Sequence, residues 1–395
     1  MDFHSQLAVI GGGPAGLRAA EVAASAGLQV TLYDGKPSVG RKFLVAGKGG
    51  LNLTHGEAHD RFIGRYSGPG QAAEIWDKLI ADFDPAALRA WAAELGVETF
   101  QATSGRVYPK ALKAAPLLRR WIERLRGLGV RFEMNHRWNS LELGSPYQLG
   151  FANGSRSTAD SILFALGGGS WPKTGSDGGW ISIFESLQLA HQPLAAANCG
   201  WEHAWPEAVL AQAEGQALKN LHVRCGDHCV IGELMLTRYG LEGGAIYQLG
   251  QVLRAMSQPA ITLDFKPTFT HVQLVAKMQS VRRDFLDAAR IRWKLSVPAY
   301  AILAQKPWLD VESLAHEVKN CQILLTRPRP LVEAISSAGG VCWSELDDRL
   351  MLKKLPGVFV AGEMIDWEAP TGGYLMQGCF ATATCAAKSA VEWLR

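Results

Sequence analysis

Leu7-Ala8-Val9-Ile10 leads without interruption into Gly11-Gly12-Gly13-Pro14-Ala15-Gly16, and the reading of this stretch decides the fold. Four apolar residues in a row suit a strand buried on both faces of a parallel sheet. The glycines that follow fit G-x-G-x-x-G. A helix comes next, with Leu17, Ala20, Ala23 and Ala24 on its packed side, and Gly27 ends it. Leu28-Gln29-Val30-Thr31-Leu32-Tyr33 reads as a second strand, closed by Asp34.

Each part has a task in a nucleotide-binding strand–helix–strand unit. Gly11 permits the tight turn, Gly13 lets backbone approach a pyrophosphate, and Gly16 lets helix and strand pack closely. The pyrophosphate then rests on the helix N-terminus with Pro14 and Ala15, where unpaired N–H groups and the dipole favour negative charge. Asp34 falls about twenty residues beyond the turn, where a carboxylate takes the adenosine ribose hydroxyls. Gly35 and Lys36 extend that clamp. This motif alone does not separate FAD from NAD.

Two more segments point to FAD. Ser38-Val39-Gly40-Arg41-Lys42-Phe43 continues into Ala46-Gly47-Lys48-Gly49-Gly50-Leu51-Asn52-Leu53-Thr54-His55, a loop suited to wrapping a pyrophosphate and the flavin end. Its glycines allow close backbone approach, and Arg41 and Lys42 can offset phosphate charge. Near the other end, Leu355-Pro356-Gly357-Val358-Phe359-Val360-Ala361-Gly362-Glu363 is a turn, a buried strand and a glycine–acid pair. It resembles a C-terminal FAD signature, in which a strand delivers an acidic residue to the ribityl chain and pyrophosphate. Pro370-Thr371-Gly372-Gly373-Tyr374 then opens an alanine-rich helix running toward Trp393. The positive end of that helix can stabilise negative charge on a reduced flavin.

Over essentially its full length the chain resembles the bacterial NAD(P)/FAD-dependent oxidoreductase family, whose members include aminoacetone-oxidase-like enzymes and bile-acid intermediate reductases. The resemblance rests on Gly40-Arg41-Lys42 with the Gly47–Thr54 loop, on Gly105-Arg106-Val107-Tyr108-Pro109, and on the run from Ala165 to Gly175. It rests too on Gly232-Glu233-Leu234-Met235-Leu236-Thr237, and on Gly362-Glu363 with Thr371-Gly372-Gly373-Tyr374. Two departures mark a distinct subfamily. Many relatives carry Gly-Arg-Cys-Asn where this chain has Gly49-Gly50-Leu51-Asn52, and Ser-Gly-Pro near Leu241-Glu242-Gly243-Gly244.

These readings together predict an α/β fold: a Rossmann-like FAD-binding domain split by an inserted β-layer with a helical cap. The FAD-binding domain is expected over 1–190 and 336–395, and the inserted substrate-cap domain over 191–335. A chain of 395 residues exceeds what one core usually serves. The candidate cofactor-binding residues are Gly11, Gly13, Pro14, Ala15, Gly16, Asp34, Gly35, Lys36, Arg41, Lys42, Gly47, Gly49, Asn52, Thr54, Gly167, Gly362, Glu363, Asp366, Gly372, Gly373 and Tyr374. Trp171 and Trp180, flanking the Gly167-Gly168-Gly169 turn, are expected to pack in the interior, and a short helix is expected from Ser176 to Leu189.

The expected activity is hydride exchange between bound FAD and a small organic substrate, with NAD(P)H as a transient electron donor. An oxidase of a small amine or ketone that passes electrons to oxygen is the alternative, and an RNA-modifying or FAD-sensing protein is an alternative of another class. Lys48, Tyr108, Lys110 and Tyr374 are candidate proton donors or acceptors because they sit in the motif loops.

Other features narrow the field. The Arg106–Arg137 stretch is basic, yet Leu112, Ala115, Leu118, Trp121, Ile122 and Leu125 recur within it at helical spacing. It reads as the solvated face of an amphipathic helix, so a nucleic-acid partner is not expected. Cys225 and Cys229, with His222 and His228, lack zinc-site spacing and sit in a strand-like segment, and no metal is expected. No apolar run reaches the ~20 residues of a membrane span, and no export signal is evident. Seven scattered cysteines then fit a reducing cytoplasm.

Overall fold

A computed structural model of the chain describes residues 3–71 and 74–395. The chain divides into two compact units, one formed by Met1–Ala195 with Ser336–Arg395 and the other by Ala196–Ile335.

In the first unit, the strand Phe3–Ile10 is central to a seven-stranded sheet. It pairs in parallel with Val30–Asp34 on one side (Leu7 against Val30, Ile10 against Tyr33) and with Arg156–Phe164 on the other. Arg131–Met134 extends the sheet in parallel beyond Val30–Asp34. Val358–Val360 lies parallel to the end of Arg156–Phe164, with Phe359 opposite Leu163. An antiparallel hairpin, Trp138–Glu142 and Tyr147–Phe151, completes the sheet. Leu7, Ala8 and Val9 are fully buried, as a two-sided parallel strand requires. The α/β class expected from the sequence is therefore the observed one.

The helix Pro14–Ser25 packs along the C-terminal helix Tyr374–Trp393, so the start and end of the chain share one core. Small residues make this close packing possible: Ala19, Ala20 and Ala23 on one helix, Ala383, Ala386, Ala387 and Ala390 on the other are all buried. One charge lies deep in this core. Glu21 accepts hydrogen bonds from the indole N–H groups of Trp91 (2.8 Å) and Trp121 (3.0 Å) and from the guanidinium groups of Arg124 (3.0 Å) and Arg18 (3.3 Å). Four donors replace the lost water, which is how a buried carboxylate is tolerated.

The expected helix between Ser176 and Leu189 is confined to Ile181–Ser186, because Gly178, at φ +69°, holds a turn just before it. Trp180 packs as expected, with its indole donating to the Gly167 carbonyl (2.9 Å). Trp171 does not: it is 38% exposed and lies in the left-handed region at φ +61°.

The second unit carries a six-stranded antiparallel sheet in the order Trp201–Glu202, Gly240–Glu242, His228–Thr237, Ala217–Cys225, Ala260–Asp264, Cys321–Leu324. The chain beyond Leu324 returns to the first of these strands. The Glu202 N–H donates to Arg327 O and the Thr326 N–H to Glu202 O, both at 2.9 Å, so the layer closes into a small barrel. Its core includes Leu218, Leu221, Val223, Leu234, Leu236 and Leu263. Short helices, among them His271–Ala276, Phe285–Arg292, Val297–Leu303 and Val311–Asn320, accompany the barrel. Cys225 and His228 face each other across a hairpin of this sheet. Among the described residues, no helix is long and apolar enough to cross a membrane.

Candidate functional site

The strand Phe3–Ile10 ends at Gly11, whose φ of +109° admits only glycine comfortably. A Cβ at Gly11 would lie 2.3 Å from the Ala165 carbonyl oxygen, and one at Gly16 would lie 1.8 Å from the Gly11 oxygen. These two glycines therefore let the turn and helix sit against the sheet. Gly13 differs: its φ of −79° is ordinary, and a Cβ there would meet nothing within 4 Å. It would project into open space before the N-terminus of Pro14–Ser25, where four backbone N–H groups lack helical partners.

That space is a cavity. Gly11, Gly13, Pro14 and Ala15 line it, and so do Asp34, Gly35, Lys36, Arg41, Lys42, Gly167 and Glu363. Eleven of the sequence-derived cofactor candidates thus share one wall. Asp34 organises this end. Its Oδ2 accepts the Gly12 N–H (2.8 Å) and its Oδ1 the Lys36 N–H (2.7 Å), so the carboxylate ties the glycine turn to the second strand. Burial pushes the Asp34 carboxyl up; the two N–H bonds and the charges of Lys36 and Arg41 oppose that shift without cancelling it. Gly12, an unassigned position of the motif, is also constrained, since a Cβ would press on Val39 (2.5 Å) and Asp34 (2.8 Å).

Lys42 and Glu363, 321 positions apart in sequence, meet in this wall. The Lys42 ammonium donates to Glu363 Oε2 and to Ser170 Oγ, each at 2.7 Å, while the Ser337 N–H donates to Glu363 Oε1 at 2.9 Å. Lys42 is therefore neutralised by a protein carboxylate, and Arg41 is the cation of this pair left for an anion. Its Nε is buried without a partner.

The remaining candidates lie elsewhere in this unit. Gly16 packs on Gly11, and Gly47 lies against Ala114, 2.5 Å from a Cβ placed there. Thr54–His55 pairs with Arg106–Pro109, which pairs with Thr99–Gln101 in a three-stranded sheet. A Cβ on Gly373 (φ +100°) would meet the Thr54 backbone at 2.5 Å, so the Gly47–Thr54 loop is clamped to the start of the C-terminal helix, next to Gly372 and Tyr374. Asn52 Oδ1, Thr54 Oγ1 and Asp366 Oδ2 are buried polar atoms without partners. Burial raises the Asp366 carboxyl to about 6.

Of the candidate proton carriers, two are committed. Tyr374 donates its hydroxyl to Glu57 Oε1 (2.6 Å), which Arg65 also grips through two bonds of 2.9 Å; burial and Glu57 push the Tyr374 hydroxyl well up. Lys110 is paired with Glu98 at the surface. Lys48 is exposed, and the Tyr108 ring stacks on Phe100 and lies 3.7 Å from a Cβ built on Gly50. Sequence reasoning missed His136, Arg137 and Trp138, which line the cavity because Arg131–Met134 runs beside Val30–Asp34 and ends at the same rim. A four-residue strand inside a basic stretch gives no periodic signal of its own. Glu57 and Glu21 were missed as well, since Tyr374 reaches the first, and Trp91, Trp121 and Arg124 the second, from distant segments.

The family described as HI0933-like protein Rossmann domain matches residues 5–389. The chain belongs to this family. As an HI0933-like protein it is an FAD-dependent oxidoreductase. It is 26% identical to a 3-dehydro-bile acid delta(4,6)-reductase of Clostridium scindens, with 98% of this chain and 99% of the relative covered. It is 24% identical to a ribosomal RNA dihydrouridine synthase of Escherichia coli, with 97% of each covered. Among solved structures, a 3-ketosteroid-delta4-(5alpha)-dehydrogenase of Rhodococcus jostii is similar at TM-score 0.53 and 14% identity, covering 100% of this chain and 97% of that one. A flavocytochrome c3 fumarate reductase is similar at TM-score 0.52 and 13% identity, covering 99% and 79%. Both structures share the fold.

The HI0933-like cavity fits an FAD diphosphate. Gly13 leaves a cradle that a side chain would fill, a helix N-terminus faces it, and Arg41 Nε stands buried and unpaired on its wall.

Proposed function

We propose that this protein is an FAD-dependent reductase of carbon–carbon double bonds conjugated to a carbonyl, drawing its electrons from NAD(P)H. The observation that carries the cofactor half is the open Gly13 cradle beside the Asp34 clamp. Two relatives support the substrate half, because both names describe hydrogenation of a ring double bond: one in a bile-acid skeleton, the other in the uridine of ribosomal RNA.

In this reading Asp34 holds the adenosine ribose, the Gly13–Ala15 turn and Arg41 hold the diphosphate, and Lys42 with Glu363 orients the ribityl region. Gly167, Gly362, Asn52, Thr54, Asp366 and the Gly372–Tyr374 turn complete the binding site. FAD supplies reversible two-electron chemistry. The protein must also deliver a proton to the carbon beside the carbonyl. We assign that role to Tyr108, whose hydroxyl is not committed to a carboxylate as that of Tyr374 is. We assign substrate recognition to the barrel unit, 196–335.

A second reading shares the chemistry and changes the carrier: the double bond belongs to a base in RNA. Two relatives, the Escherichia coli protein and its Haemophilus influenzae counterpart at 20% identity, favour it.

The test begins with the visible spectrum of purified protein, which should show flavin peaks and releasable FAD. Anaerobic mixing with NADH and NADPH should then bleach the flavin, and a conjugated enone should restore its colour. Failure of both nicotinamides to bleach it rejects the reductase, and restoration only by oxygen after an amine substrate points to the oxidase. Tyr108→Phe should lower turnover ~100-fold or more with FAD content unchanged.

A further inference from the structure

The basic residues of this chain are not distributed alike. In the 106–137 stretch four of the nine cations meet a carboxylate, Lys110 on Glu98 among them. Arg120 donates to the Leu95 and Gly96 carbonyls at a helix end, Arg124 binds Glu21 and Glu94, Arg131 binds Glu133, and Arg137 binds Asp177. The carbonyl bonds of Arg120 hold it in place without cancelling its charge.

The 266–294 segment of the barrel unit pairs fewer of its cations with carboxylates, Arg283 beside Asp284 being the one case among the described residues. It holds seven basic residues, Lys266, Lys277, Arg282, Arg283, Arg290, Arg292 and Lys294, against two acidic ones, Asp284 and Asp287. That surplus exceeds the net charge of +3 for the whole chain, so the rest of the molecule is net acidic. Three of the cations are held by neutral groups. Arg292 donates to the Lys277 carbonyl (2.9 Å) and Ser280 Oγ (2.9 Å), Arg282 to the Val281 carbonyl (3.2 Å), and Lys266 to the Lys294 carbonyl (2.5 Å). Such bonds fix positions without cancelling charge. Asp287 is engaged by the Tyr300 hydroxyl, and Asp284 has Arg283 at 3.7 Å. Burial and the neighbouring Lys294 charge lower the Lys266 ammonium, a sign of crowding. Six of the seven, all but Lys266, are exposed.

From this clustering we propose that the 266–294 face is a docking surface for the phosphodiester backbone of RNA. The proposal rests on the RNA reading of the preceding section and names the part of the chain that holds the polymer. The exposed large apolar side chains of the segment are Val272 and Ile291, both aliphatic. With no exposed aromatic ring to stack on bases, the face grips phosphates and tolerates many sequences. An anionic membrane is the other polyanion to consider. The two helices here, His271–Ala276 and Phe285–Arg292, have six and eight residues, too short to lay an extended apolar face in a bilayer.

The experiment uses full-length flavin-loaded protein and a labelled single-stranded ribosomal RNA fragment, with binding followed by anisotropy across a salt series. Wild type should bind at low salt, with log K falling linearly against log salt. The variant Lys277→Gln/Arg283→Gln/Lys294→Gln should lose ~10–100-fold in affinity at low salt, and its salt slope should shrink by about 2. A control, Lys113→Gln/Arg119→Gln on the other basic stretch, should bind like wild type. Flavin spectrum and melting temperature report that each variant is folded. Absence of RNA binding by wild type overturns the proposal. So does a triple variant that binds as wild type does, or capture by phosphatidylserine vesicles in place of RNA. A colourless protein that still binds RNA would reject the cofactor reading and leave this one standing.

Discussion

Replacing Gly13 by alanine separates binding from folding at the glycine turn. In the protein without FAD, the new methyl meets no heavy atom within 4 Å, and φ −79° with ψ −177° is ordinary backbone for alanine. Alanine is a poorer helix N-cap than glycine, but it lowers the entropy of the unfolded chain by a comparable amount, so the net change is within ~0.5 kcal/mol. The FAD complex is different. The methyl then stands where a phosphate needs backbone contact, and overpacking of this kind costs about 1–3 kcal/mol. That corresponds to a Kd raised ~5- to 150-fold. Titration of FAD-free protein with FAD, followed by quenching of flavin fluorescence, measures the loss, and thermal melting of the same protein measures stability. Gly16→Ala is the counterpart. Its Cβ would lie 1.8 Å from a backbone oxygen, so that variant should melt lower before any ligand is added. Unchanged FAD affinity in Gly13→Ala, or a melting point as depressed as that of Gly16→Ala, would refute the assignment of Gly13 to the ligand and Gly16 to the fold.

Three further outcomes concern charges held in the interior. Glu21→Ala strips four donors of their acceptor and leaves the Arg18 charge buried, so it should cost about 3–5 kcal/mol and lower the melting temperature by roughly 10 °C. Asp366, raised to about 6 by burial, binds its proton more tightly folded than unfolded. Its contribution is therefore complete below pH ~4 and lost as pH rises to ~6, by on the order of 3 kcal/mol. Asp366→Asn should flatten that part of the stability–pH curve, which denaturant titrations at several pH values will read. Lys42→Met and Glu363→Gln should be non-additive by about 1–3 kcal/mol in a double-mutant cycle on melting, because each holds the other in a partly buried pair.

The sequence by itself determined the parts whose physics is local. An unbroken apolar strand, a turn of glycines, a helix of small residues and an acid at a fixed interval follow from backbone geometry within some thirty residues, and in the structure Gly11, Gly13 and Asp34 line one cavity. What lay beyond its reach were pairings between distant segments. Lys42 reads as a phosphate cation until tertiary structure brings Glu363 within 2.7 Å. Tyr374 reads as a proton donor until its hydroxyl is found on Glu57. The 106–137 stretch reads as the solvated face of a helix until Glu21, Glu94, Glu133 and Asp177 are found on Arg124, Arg131 and Arg137, while in 266–294 Lys266, Arg282 and Arg292 donate to carbonyl oxygens. A side chain's type fixes the charge it brings. Which group stands opposite it is set by how the chain folds back, and that decides whether the charge is spent inside the protein or left for a partner.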